Sequence, residues 1–285
     1  MSATCLWPVE ALLGEGPVYM AKERAVWFVD IVRCQIHRFD TVSGAKWSWT
    51  APSNPGFLAP KASGGFIVGL RDGLYDFKPE TGNFELRQRV DADQPGNRLN
   101  DGHVDAKGRL WFGTMDDAHK ESSGSLWRYD ERGLVRIDPG YRITNGPALS
   151  PDGHTLYHTD TIGRTIYAFD VDDAGNVSNK RVFANIDRGF PDGPVVDAEG
   201  CVWSALYGGW GMNRYAASGK LISHIEIPCA NVTKAAFGGD DVKTLYVTTA
   251  RQQLNAEELA EQPLAGGLFT LRVAVPGLPQ AIFHG

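Results

Sequence analysis

The chain has 285 residues, 42% hydrophobic and 22% charged, with a formal net charge of -6. These values are ordinary for a globular protein, and the scattered Lys and Arg leave no basic footprint for nucleic acid or an anionic membrane. No stretch reaches the ~20 apolar residues of a membrane-spanning helix.

Glycine (33) and proline (16) are frequent, and short alternating apolar runs recur between turn signals, a pattern that predicts strands. The first unit begins with Glu15-Gly16-Pro17-Val18, turns at AKER, and continues as AVWFVD (25–30) and QIHRFD (35–40). A polar loop, APSNPGF (51–57), leads to the second unit, GFIVGL (65–70) and GLYDFK (73–78). The third carries Asp101-Gly102-His103-Val104, the turn DAKG, RLWFGT (109–114), the loop DDAHKESSG (116–124) and SLWRYD (125–130). The fourth has Asn145-Gly146-Pro147-Ala148, SPDG, TLYHTD (155–160) and TIYAFD (165–170). The fifth has Asp192-Gly193-Pro194-Val195, DAEG, CVWSAL (201–206), the hairpin connection GGWG and MNRYAA (212–217). The sixth has GGDD, TLYVTT (244–249), a helix-like surface excursion NAEELAEQ (255–262) and GLFTLR (267–272).

One aromatic marks each unit: Trp27, Phe66, Trp111, Tyr157, Trp203 and Tyr246, at intervals of 39 to 46 residues. That period, with several short strands per unit, is the signature of propeller blades. The expected fold is all-β: one six-bladed β-propeller over residues 1–285, with four antiparallel strands per blade. A closed ring also leaves few strand edges exposed.

The run before each aromatic strand is expected to line the axis. Four units open it with a carboxylate or amide followed by glycine, at Glu15, Asp101, Asn145 and Asp192. One Asp-Gly or Asn-Gly is ordinary turn chemistry. Four in register put short oxygen-bearing side chains at one end of the central channel, where carboxylates would repel without a cation. An all-oxygen donor set suits one divalent ion, Ca²⁺, Mg²⁺ or Mn²⁺, and Zn²⁺ or Fe²⁺ also accept such ligands. His103, next after a motif glycine, is expected to contact substrate there. His158, in an aromatic strand, is expected to be structural.

The runs LGEGPVY, NRLNDGHVDAKGRLWFGTMD, ITNGPALSPDGHTLYHTDT, GFPDGPVVDAEGCVWSALYGG and TLYVTTAR resemble the senescence-marker-protein-30, gluconolactonase and regucalcin family over essentially the full chain. The similarity leans towards its bacterial sugar-lactonase branch. It implies a six-bladed propeller and a metal held by Glu15, Asn145 and Asp192. It also implies substrate contacts from Arg98 and Asn100, with Asp101 beside the metal and Asp192 doubling as general base. Regucalcin-like members carry a glutamate a few residues after GTM where Ala118 stands here, so the resemblance carries no sugar preference.

Together these readings predict a metal-dependent aldonolactonase acting on a small-molecule sugar lactone, without nucleic-acid or membrane partners, as a monomer or weak homo-oligomer. A regucalcin-like calcium-binding protein without turnover is the alternative. A nucleophilic serine hydrolase is excluded by the lack of a G-x-S-x-G elbow. MSATCLWPVE lacks a secretory pattern, and Cys5, Cys34, Cys201 and Cys229 follow no CxxC or zinc spacing, so reduced thiols and a cytoplasmic setting are expected.

Overall fold

The computed structural model describes residues 2–285. Six four-stranded antiparallel sheets are arranged as blades around an axis. The inner strands are Gly14–Met20, Phe57–Pro60, Asn97–Val104, Thr144–Leu149, Phe190–Val196 and Val232–Gly238, and they number the blades 1 to 6. Next outward come Ala25–Asp30, Phe66–Leu70, Leu110–Asp116, Thr155–Asp160, Val202–Tyr207 and Thr244–Thr249, which carry the six aromatics as expected. The helix-like segment is a short helix, Ala256–Glu261, with Asn255 and Glu258 forming a reciprocal capping box. No helix among the described residues is long and apolar enough to cross a membrane.

Packing repeats with the sequence. Six apolar clusters each lie between two neighbouring blades. Trp27 and Phe66 meet between blades 1 and 2 at 4.6 Å between ring centroids, and Trp203 meets Phe237 between blades 5 and 6 at 6.0 Å. Ile36, Leu126 and Ile166, on the third strands, are fully buried, as their alternation requires. The turn aspartates are structural. Asp105 accepts from Trp111 Nε1 at 2.8 Å, and Asp197 accepts from Trp203 Nε1 at 2.8 Å.

Two features of the ring lie outside the simple repeat. Blade 6 takes its outermost strand from the N-terminal segment: Thr4–Trp7 pairs antiparallel with Leu268–Arg272 and so closes the circle. The C-terminal segment crosses one face of the ring. Ala198 N donates to Pro276 O, Gly277 N to Val242 O, Phe283 N to Pro60 O and His284 N to Gly108 O, which ties blades 5, 6, 2 and 3 together. All four cysteines are free; Cys201 and Cys229 are buried and Cys5 and Cys34 half-buried.

Candidate metal and substrate site

Register against the aromatic strands defines which inner-strand positions are equivalent. Val18 pairs with Trp27, His103 with Trp111, Ala148 with Tyr157 and Val195 with Trp203. Three residues before those partners stand Glu15, Asn100, Asn145 and Asp192. This corrects the motif alignment, which set Asp101 among them. Turns between the inner and aromatic strands differ by a residue from blade to blade, so matching Asp-Gly to Asn-Gly shifts blade 3 by one. Asp101 occupies the position that is Gly16, Gly146 or Gly193 in the other blades.

Glu15, Asn100, Asn145 and Asp192 all line one cavity of about 270 Å³ at the start of the inner strands. Arg98 and His119 share it, and Leu13, Met115, Ile143, Ile162, Phe190 and Tyr207 supply apolar wall. Loop 116–124 thus contributes His119, whereas loop 51–57 contributes no lining residue. His103 is placed elsewhere. It lines a separate cavity of about 60 Å³ at the far end of the channel, closed by Leu278, Pro279 and Gln280. A β-bulge between Leu99 and Gly102 turns the strand there, and three residues of travel carry His103 away from the mouth.

A chain of hydrogen bonds orients the polar groups. Arg98 Nε donates to Asp117 at 3.0 Å, and its Nη1 donates to Asn100 Oδ1 at 2.6 Å. Asn100 Nδ2 donates to Thr144 O at 2.6 Å and to Asn145 Oδ1 at 3.0 Å. Asn145 Nδ2 then donates to Thr161 Oγ1 at 2.8 Å. The Asn145 oxygen is thereby fixed, and one of its two lone pairs stays free. Arg71 also donates to Asp117, at 2.6 Å, so this aspartate beside Ala118 holds two guanidinium groups.

The two carboxylates are less provided for. Glu15 accepts from the Gly16 amide at 2.8 Å, and Asp192 has the corresponding Gly193 amide. Burial, then the neighbouring Asp101, pushes Glu15 up to about 8. Burial, then Glu15 and Asp101, pushes Asp192 well above the usual carboxylate range. Buried anions that repel one another and offer only oxygen donors fit a hard divalent ion.

A second acidic group behaves differently. Asp197, Glu199 and Cys201 bring potential ligand atoms within 4.8 Å of one another. Asp197 already accepts from Arg214 Nε at 2.9 Å, from Trp203 and from the Glu199 and Cys201 amides, and Glu199 accepts from Arg214 at 2.8 Å. Arg214 supplies the positive charge there, which makes this a turn-bracing cluster.

The SMP-30/Gluconolactonase/LRE-like region matches residues 13–251, a span that begins just before Glu15 and holds every residue lining the cavity except Gln252 and Gln253. The chain belongs to this family. Among its relatives, 6-deoxy-6-sulfogluconolactonase of Pseudomonas putida is 35% identical over 99% of this chain and 98% of its own. Regucalcin of Xenopus laevis is 32% identical over 96% of this chain and 95% of its own. The solved structure of the calcium-binding protein regucalcin from Agrobacterium tumefaciens superposes with a TM-score of 0.94, at 30% identity, covering 98% of this chain and 96% of that one. One of these relatives is thus named for acting on a gluconolactone and another for binding calcium.

Sequence reasoning missed Thr161, His119, Tyr207 and Lys234. The first three lie on a strand end or in loops of blades 3, 4 and 5, where no repeated motif flags them, and Lys234 lies within the inner strand of blade 6. Blade position alone could have found Lys234, because VTKAAF is the sixth inner strand.

Proposed function

We propose that the chain hydrolyses an aldonolactone at the cavity mouth, with one divalent ion held by Glu15, Asn145 and Asp192. The observation that carries this reading is the convergence of three oxygen donors from three blades on one half-apolar cavity, two of them carboxylates raised by burial and then by neighbouring carboxylates. When bound, such an ion supplies Lewis acidity at the lactone carbonyl and charge for its developing oxyanion.

The chain's own residues do the rest. Asp192 takes the proton of the attacking water, since its carboxylate faces the cavity and, among the described residues, accepts only from its neighbour's amide. Arg98 has Nε and Nη1 committed to Asp117, Leu99 O and Asn100, and Nη2 makes no hydrogen bond among the described residues. That group is the donor available to a sugar oxygen. Ile143, Ile162 and Phe190 seat the ring and exclude bulk water. Asn100 acts one step back, by holding Asn145.

The test is a panel of pentono-, hexono- and sulfonated gluconolactones, assayed after chelation with each metal restored. Asp192→Asn keeps an oxygen donor and loses the base, so turnover is expected to fall ~10²-fold or more while some metal is retained. Near-normal turnover by the metal-loaded variant overturns the assignment. The likeness to a calcium-binding regucalcin favours a second reading, metal binding without turnover. Wild-type protein that binds metal yet opens no lactone in the panel would establish it.

A further inference from the structure

The inner-strand position that is Gly16, Gly146 and Gly193 in blades 1, 4 and 5 carries a charge in two others. Blade 3 has Asp101, and blade 6, where Ala236 pairs with Tyr246, has Lys234. Both are buried, at 1% and 7% exposure, and they pair with each other across the axis. Glycine makes room for this. A Cβ on Gly193 would stand 2.7 Å from Lys234 Cγ, so the lysine stem lies in the space that glycine leaves.

The protein saturates Asp101. Its Oδ1 accepts from Gly102 N at 2.7 Å and from Lys234, and its Oδ2 accepts from Gly146 N at 2.8 Å. Asp101 does not line the mouth cavity, although its neighbour Asn100 does. Yet its Oδ2 holds the amide next to Asn145, and its partner Lys234 lies against Gly193, next to Asp192. Three carboxylates therefore surround the axis. One divalent ion balances two of them, and Arg98 is spent on Asp117. Lys234 balances the third.

We propose that Lys234 is a positioning residue that keeps Asp101 out of the metal shell and matches the site's charge to one divalent ion. Resting on the metal reading above, this explains how a channel with three acids presents only Glu15, Asn145 and Asp192 as ligands. Coordination positions then stay open for water and substrate. A third anionic ligand would tighten metal binding and close one of them.

Mn²⁺ titration calorimetry on the full chain tests this, with melting temperature as a separate readout. Lys234→Met is expected to bind Mn²⁺ about tenfold tighter or more, and Asp101→Asn about tenfold weaker, the scale of one uncompensated nearby charge. The double variant should return to within a few-fold of wild type. Opposite signs with restoration support charge matching. Unchanged Mn²⁺ affinity in Asp101→Asn and in the double variant, with only lower melting temperatures, overturns it and leaves a structural ion pair. If Lys234→Met does not fold, those two variants still decide. A wild-type protein that binds no divalent ion overturns the metal reading and this inference with it.

Discussion

Asn100 gives its Nδ2 hydrogens to Thr144 O and Asn145 Oδ1 and accepts from Arg98, which fills most of its hydrogen-bonding capacity. An amide so engaged orients a ligand more than it grips a substrate. Asn100→Ala is therefore expected to weaken metal binding by about 10–100-fold, the usual cost of losing an outer-shell partner. Calorimetric titration of the purified variant measures it; unchanged affinity would return Asn100 to a substrate-contact role. The residue's identity was legible in the run NRLND, but its task was not. Only the register, which places Asn100 level with Asn145 in the next blade, brings the two amides within 3.0 Å.

At the scale of the strand, Thr155–Asp160 of blade 4 buries His158 completely, edge-on to Tyr141 at 4.8 Å, with neither ring nitrogen partnered among the described residues. Burial pushes this imidazole down to about 3. In the unfolded chain it titrates near its ordinary ~6.5, so between those values the unfolded state holds the extra proton. The stability contribution is full above about pH 6.5 and is lost as pH falls towards 3. Between pH 7.5 and 5.0, wild type is expected to lose about 2 kcal/mol more than His158→Leu in urea unfolding. Parallel losses in the two proteins would remove His158 from the account. The strand's place explains the burial, because an aromatic strand packed on both faces has no solvent side to offer.

At the scale of the whole ring, the segment Pro276–His284 straps four blades and seals the end of the channel opposite the candidate site. Phe283 is fully buried between blades 2 and 3, stacked on Tyr129 at 5.8 Å. Phe283→Ala is expected to cost about 3–5 kcal/mol, the range for deleting a buried aromatic. A change within about 0.5 kcal/mol, typical of a surface position, would show the strap to be ornamental to stability. The first strand, Thr4–Trp7, does the complementary job at the other terminus by covering the edge of Leu268–Arg272.

The sequence by itself determined the blade count, the strand order within blades and the placing of Glu15, Asn145 and Asp192 at one mouth. The physical reason is that each blade must bury one aromatic strand against its neighbours, and that demand prints the same pattern six times. Local turn chemistry likewise announced the turns DAKG and DAEG, whose first residues, Asp105 and Asp197, find their partners within a few residues. Tertiary structure alone decided everything that depends on residues far apart in the chain meeting across the axis. It set Asn100 rather than Asp101 level with Glu15, Asn145 and Asp192, carried His103 to the far cavity and brought Lys234 onto Asp101 from 133 positions away. It also closed the ring with Thr4–Trp7, a strand whose partner lies at the opposite end of the sequence. A period of 39 to 46 residues reports what neighbouring strands need from each other. It carries no record of which side chains face one another over the hole in the middle.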